Sequence, residues 1–249
     1  DGILMNTAIA EAKERLGANI TSGSGADRTV VGLFTPSANL AASTELLADI
    51  VRHPKFDPAE VARVKNQQLS RISAELTSPQ GLATRVYPKL IYGAAYPYAK
   101  SFGSGDAKAV AALTRDDLIA FQQAWIRPDK AKIFVVSDRP LAEVKAAFDA
   151  RFGDWTPTGP AGVKDFTVKA VPSAPKIVLI DRPDSPQSFI IAGIPTRLVG
   201  TDDLLPVITA NDTLGGDFLS RVNMDLREAR HWSYGVNGSF RRAQHDTPY

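Results

Sequence analysis

The chain reads as an α+β protein. Three observations predict this class. β-rich runs alternate with apolar stripes at helical spacing, a long helix is announced by its cap at Asp57-Pro58-Ala59-Glu60, and a Pro- and Gly-rich stretch separates two mixed segments. With 249 residues there is room for one large domain or two moderate ones, each with a core. Hydrophobic residues at 44% and charged residues at 22% exclude wholesale disorder, a collagen-like fibre and a coiled coil. The formal charge of +2 is too small to imply nucleic acid or an anionic membrane as partner. With no cysteine, the chain has no disulfide framework, thiolate zinc site, iron–sulfur cluster or cysteine nucleophile. No apolar run reaches the roughly 18–20 residues of a membrane helix, so no transmembrane segment is expected.

The first predicted element is a short helix from Thr7 to Leu16, with Gly17 where a left-handed cap belongs. Asn19 to Ser24 and Asp27 to Thr35 are β-rich and flank Gly25-Ala26, which predicts a hairpin ending at Pro36. Leu40, Leu46, Leu47, Ile50 and Val51 mark a helix between Ala38 and Arg52, stopped by His53-Pro54. Asp57 as N-cap, Pro58 at the first helical position and Glu60 form a capping-box pattern that opens a long helix. Val61, Val64, Leu69, Ile72 and Leu76 give that helix its apolar face. Ser78-Pro79 opens another helix to about Ile91, and Tyr92 to Gly105 reads as a loop carrying Tyr96, Tyr98 and Phe102. Thr114 caps a helix to Trp125, Lys132 to Ser137 reads as a strand, and Leu141 to Phe152 is helical.

Thr156 to Pro175 holds four Pro and two Gly in weakly patterned sequence and is the linker candidate. Beyond it, Lys176 to Ile180 and Ser188 to Ile194 predict strands, Leu204 to Leu214 and Phe218 to Arg230 helices, and Ser233 to Phe240 a strand. Asp1-Gly2-Ile3 enters a helical pattern almost at once, and His245 to Tyr249 follows a strand-like run without a closing element. Both ends are expected to be processed or truncated.

Histidine occurs only at His53, His231 and His245, and no two share a helical turn with a glutamate, so neither zinc-protease helix pattern is present. Gly23-Ser24-Gly25 and Gly103-Ser104-Gly105 lack the spacing of a nucleophile elbow and read as turns; no phosphate loop or dinucleotide fingerprint is present. The segment from Leu214 to Val236 is denser in chemistry. Gly215-Gly216 permits a tight bend before a helix, and Arg227 near that helix's end with Tyr234 on the next strand would set a guanidinium beside a phenol. Two readings fit these residue types. The pair donates hydrogen bonds to a carbonyl or carboxylate, or Arg227 caps helix carbonyls or pairs with an acidic neighbour and Tyr234 is an ordinary strand aromatic.

Leu214-Gly215-Gly216-x-Phe218-x-Ser220-Arg221, Leu226-Arg227-Glu228 and Tyr234-Gly235 resemble the pitrilysin/insulinase (M16) metallopeptidase family. Leu16-Gly17-Ala18, Asp27-Arg28-Thr29, Pro54-x-Phe56, Tyr96-Pro97-Tyr98, Leu113 to Leu118 and Phe152-Gly153-Asp154-Trp155 extend the resemblance over nearly the whole chain. It implies two homologous M16-type α/β sandwich domains: a first over 1–160, a linker over 161–175 and the start of an incomplete second over 176–249.

The family joins two halves, fused or separate, around a peptide chamber, and one half binds zinc through His-x-x-Glu-His, a motif absent here. The resemblance therefore makes this chain the zinc-free half, with no catalytic and no metal-binding residue of its own. Arg227 and Tyr234, seven positions apart, would bind peptide substrate and stabilise the oxyanion. Zinc is expected on a catalytic partner half that carries His-x-x-Glu-His. The alternative is an inert M16-like scaffold of the kind found among core subunits of respiratory complexes. A nucleic-acid-binding module is disfavoured by charge. A periplasmic location is expected from the absence of cysteine and by analogy with exported bacterial members.

Overall fold

The cap at Asp57 shows how sequence chemistry becomes local structure. Its carboxylate accepts the N–H groups of Ala59 and Glu60 at 2.9 and 3.2 Å, and Pro58 starts the helix without wasting a donor. The structure is a computed structural model that describes residues 2–100, 103–168, 175–195, 198–199 and 202–240, with side chains from Ala8 onward. Asp1, Phe102, positions 169–174 of the expected linker and the terminal stretch containing His245 lie outside the described residues.

In chain order the elements begin with α1 (Gly2–Leu16), β1 (Asn19–Ser24), β2 (Thr29–Phe34), α2 (Leu40–Arg52), α3 (Pro58–Leu76) and α4 (Pro79–Tyr92). They continue with α5 (Ala107–Ala112), α6 (Arg115–Trp125), α7 (Leu141–Phe152), α8 (Leu205–Asn211) and α9 (Arg221–Asn223). The chain divides into two compact units that interleave in sequence. One holds Asp1–Val86, Ser101–Asp165 and Leu179–Ile190, the other Tyr87–Lys100, Phe166–Val178 and Ile191–Tyr249.

In the first unit α1 ends as its sequence predicts. Gly17 takes φ 58°, and Ala18 N–H reaches back to Lys13 O at 2.8 Å, closing the helix with a left-handed cap. The hairpin follows, antiparallel, with Asn19 opposite Phe34 and Ser24 opposite Thr29. α2 packs on α7, and α1 lies against α2 and α3. Ala48, Ile72 and Val144 are buried between these helices, as are Ser43 and Thr44. The two hydroxyls need partners there, and Ser43 Oγ finds Thr35 Oγ1 at 2.8 Å while Thr44 bonds Leu40 O at 2.8 Å.

The loop that follows α4 is tied back by a charged network. Glu75 on α3 accepts the amide of Ser104 at 3.0 Å, its hydroxyl at 2.5 Å and Arg85 at 2.9 Å; Arg85 also donates to Gly105 O at 2.7 Å. A Cβ on Gly103, which sits at φ 46°, would strike the Glu75 carboxylate, so the glycine is set by both conformation and space.

α5 is not among the elements expected from the sequence; Asp106 caps it by accepting the N–H of Ala109 at 2.9 Å. In the second unit, Tyr92, Tyr96, Tyr98 and Phe166 form an aromatic cluster with centroids 5.6–5.9 Å apart, and Tyr96 and Tyr98 are buried. The loop read between Tyr92 and Gly105 is therefore partly core.

Four expected strands are not paired. Among the described residues the only ladder is β1–β2; Lys132 to Ser137, Lys176 to Ile180, Ser188 to Ile194 and Ser233 to Phe240 run without one. Residues such as Phe134 and Ile190, 88% and 86% exposed, have the composition of strands but no adjacent edge. The hairpin forms because a short turn, with Gly25 N–H bonded to Arg28 O at 2.9 Å, brings its two strands together locally; the other runs require a distant partner. Helical regions also change character. The expected helices over 204–214 and 218–230 each finish in a wide turn, Asp212–Gly216 and Met224–Ala229.

Thr114 and Asp117 form a reciprocal capping box on α6, and the bonds from the Thr114 hydroxyl and amide hold the Asp117 carboxyl below the usual carboxylate range. Thr114→Ala is expected to lower stability by about 1 kcal/mol in denaturant titration. Burial pushes the Glu75 carboxyl up, but the bonds from Ser104 and Arg85 outweigh it and leave the group below its ordinary value. A depressed folded value contributes stability that is present above the unfolded value and is lost as pH falls through the folded one. Glu75→Gln should therefore lower Tm at neutral pH, and the gap to wild type should shrink as pH drops below the carboxylate range.

Candidate functional site

The chemistry-bearing segment lies in the second unit and is organised by two close backbone approaches. α8 runs into the wide turn Asp212–Gly216, and there Gly238 N–H donates to Gly215 O at 2.6 Å. A Cβ on Gly215 would sit 3.3 Å from Gly238 Cα and N, tight enough that the two backbones would have to give slightly at this contact. Asn211 seals it by donating to Gly238 O at 2.9 Å. The run Ser233 to Phe240 is thereby laid against the turn that precedes α9.

α9 and the wide turn Met224–Ala229 are continuous, and Arg230 N–H bonds Asp225 O at 2.9 Å, five residues back. His231 then takes φ 56°, and Trp232 N–H returns to Leu226 O at 2.9 Å, which reverses the chain. This reversal brings Arg227 and Tyr234 together. The Arg227 guanidinium carbon lies 5.1 Å from the Tyr234 ring centroid and 4.6 Å from that of Phe218, so the cation rests against two aromatic rings. Its Nε is 3.2 Å from Glu228 Oε1. Tyr234 is 92% exposed, while the Arg227 side chain keeps 30% of its surface.

This arrangement departs from the ordinary strand aromatic considered above, because Tyr234 packs into no core and borders no ladder. For Arg227 the plain reading is met in part, since the guanidinium pairs with the neighbouring Glu228 carboxylate; the contact with two rings goes beyond it. A fixed cation beside an exposed phenol presents directional donors to a carbonyl oxygen or a carboxylate. Phe218, quoted above only as part of a motif, proves to be the second face of the Arg227 site. Its signal in the sequence was a large apolar residue directly after a Gly-Gly-Asp bend. Asn223, whose amide donates to Phe218 O and accepts Val236 N–H, is the other residue missed, and its placement inside a helical run, where asparagine is a poor former, was the available sign.

The described residues do not fit a zinc ion. His53 Nδ1 is 3.5 Å from Asp49 Oδ1, yet among the described residues no group of three His, Asp or Glu is placed to hold a metal. His231 Nδ1 faces Arg227 O at 3.1 Å, and His245 is outside the described residues.

Two family profiles match the chain: "Insulinase (Peptidase family M16)" over residues 5–96 and "Peptidase M16 inactive domain" over residues 112–248. The chain is 24% identical over 92% of its length to "Uncharacterized zinc protease YmxG" of Bacillus subtilis, covering 54% of that protein. It is 22% identical, again over 92%, to "Uncharacterized zinc protease Rv2782c" of Mycobacterium tuberculosis, of which it covers 52%. The chain thus spans about half the length of the curated relatives it matches. A solved peptidase M16 inactive domain from Pseudomonas fluorescens superposes with a TM-score of 0.74 at 26% identity, covering 95% of this chain and 57% of that one. A protease from Helicobacter pylori shares the fold at TM-score 0.72 and 17% identity, over 96% of this chain and 57% of its own. Because the inactive-domain profile alone accounts for more than half of its residues, the chain belongs to peptidase family M16.

Proposed function

We propose that this chain is the zinc-free half of a two-half zinc metalloendopeptidase, in which Arg227 and Tyr234 bind the substrate peptide and hold the oxygen of the scissile carbonyl. The observation that carries this reading is the Arg227 guanidinium held 5.1 Å from the ring of a Tyr234 that is exposed to an incoming ligand. Both residues lie within the stretch matched by the inactive-domain profile, and the relatives named zinc proteases are about twice as long. The proposed frame is two M16-type sandwich domains, 1–160 and an incomplete 176–249, joined by 161–175. Zinc is assigned to the partner half, since the described histidines and carboxylates here form no ligand set.

Within this chain the work is electrostatic. The guanidinium keeps its charge at any working pH and offers a forked set of donors, while the phenol adds one hydroxyl. Packing against Phe218 and Tyr234 restricts the guanidinium without using its donors, and with Nε facing Glu228 the terminal nitrogens are the ones proposed to meet the substrate. As a carbonyl carbon is attacked, its oxygen gains negative charge, and donors already in place stabilise that state more than the ground state.

In the assembled enzyme, Arg227→Ala and Tyr234→Phe should each lower turnover by about 10²–10³-fold, roughly 2.7–4 kcal/mol, with zinc content and thermal unfolding unchanged. Full turnover in both variants would return the pair to a structural role and the chain to a scaffold. The chain alone, washed with chelator, should retain no stoichiometric zinc by elemental analysis. One tightly held zinc per chain would contradict the assignment of the metal to the partner half.

A further inference from the structure

We infer that Asn223 is a positioning residue that sets Phe218 and Tyr234 about the Arg227 guanidinium. The inference rests on the reading of Arg227 and Tyr234 as a substrate-binding pair. Asn223 is 2% exposed, and both ends of its amide are used: Nδ2 donates to Phe218 O at 2.7 Å, and Oδ1 accepts Val236 N–H at 2.9 Å. One side chain therefore joins the bend before α9 to the extended run after the reversal. Those are the two segments that carry the rings against Arg227.

Tyr234 has little else to locate it. With 92% of its surface exposed, its place must come from the backbone on either side. Two residues before it, Trp232 N–H is tethered to Leu226 O; two residues after it, Val236 N–H is tethered to Asn223. Both tethers return to the helical run that carries Arg227, so Tyr234 is bracketed symmetrically against the residue it serves. A buried amide is costly unless both ends are bonded, and asparagine is a weak helix former. An apolar residue would fill the space more cheaply but could not distinguish a carbonyl on one side from an N–H on the other.

The test is a double-mutant cycle in the assembled two-half enzyme. Asn223→Ala should lower turnover about as far as Tyr234→Phe, on the order of 10²-fold, because a displaced phenol is as useless as an absent one. Added to Tyr234→Phe, it should cost less than it does alone, the remainder acting through Phe218 and Arg227; losses that multiply in full would overturn the inference. Should Asn223→Ala fail to fold, Asn223→Ser supports the same cycle, since a hydroxyl is too short to bridge both segments. Amide hydrogen exchange separates the two claims. Full turnover in both Arg227→Ala and Tyr234→Phe would defeat the substrate-binding reading, and positioning would then be judged by Val236 N–H alone. Protection lost in Asn223→Ser upholds the tether, and protection retained refutes it.

Discussion

The backbone contact between Gly215 and Gly238 is the constraint on which the candidate site depends. A hydrogen bond of 2.6 Å joins the turn ending α8 to the returning run, and a Cβ on either glycine would meet its neighbours at a tight 3.3 Å. Once these segments touch, everything between them must leave and come back within 22 residues, which a helical run followed by a sharp reversal accomplishes. The left-handed His231 makes the reversal, although a glycine would adopt that φ at lower cost. Its ring nitrogen lies 3.1 Å from Arg227 O, a local contact at an otherwise unfavourable position.

Charge in this segment is arranged in short, mostly exposed pairs. Arg230 meets Asp225 at 2.9 Å and stacks over Trp232, with its guanidinium carbon 4.9 Å from the ring. Such exposed pairs contribute little to stability, at most about 1 kcal/mol each. Arg227 pairs with Glu228 at 3.2 Å in the same way, but it meets two rings where Arg230 meets one, which restricts its orientation further. The first unit uses charge in the opposite way. The Glu75 carboxylate, with three donors around it, holds a loop in place, and its chemistry is consumed in doing so.

Much of the architecture was legible because it is locally encoded. α3 begins at its Asp57 cap and α6 at its Thr114 box, as their residue patterns put them, and the hairpin forms from residues five to fifteen positions apart. The runs at Lys132 to Ser137 and Ser188 to Ile194 carry the same kind of signal, yet β-branched composition specifies a preference for extended backbone and does not supply an edge to pair with. The aromatic cluster of Tyr92, Tyr96, Tyr98 and Phe166 was hidden inside a loop pattern, since glycine and proline mark where a chain turns and say nothing about which rings the turn buries.

From the sequence alone came the α+β class, the caps, the family resemblance and the pairing of Arg227 with Tyr234 as the residues to watch. These rest on residue type and spacing, which a single chain displays directly. The tertiary structure decided that the guanidinium lies between two rings, that Phe218 is the second of them, and that Asn223 ties both flanking segments to one helix. Those facts depend on contacts between residues up to 27 positions apart, as between Asn211 and Gly238. Their geometry follows from how closely two backbones approach, and no local propensity encodes that distance.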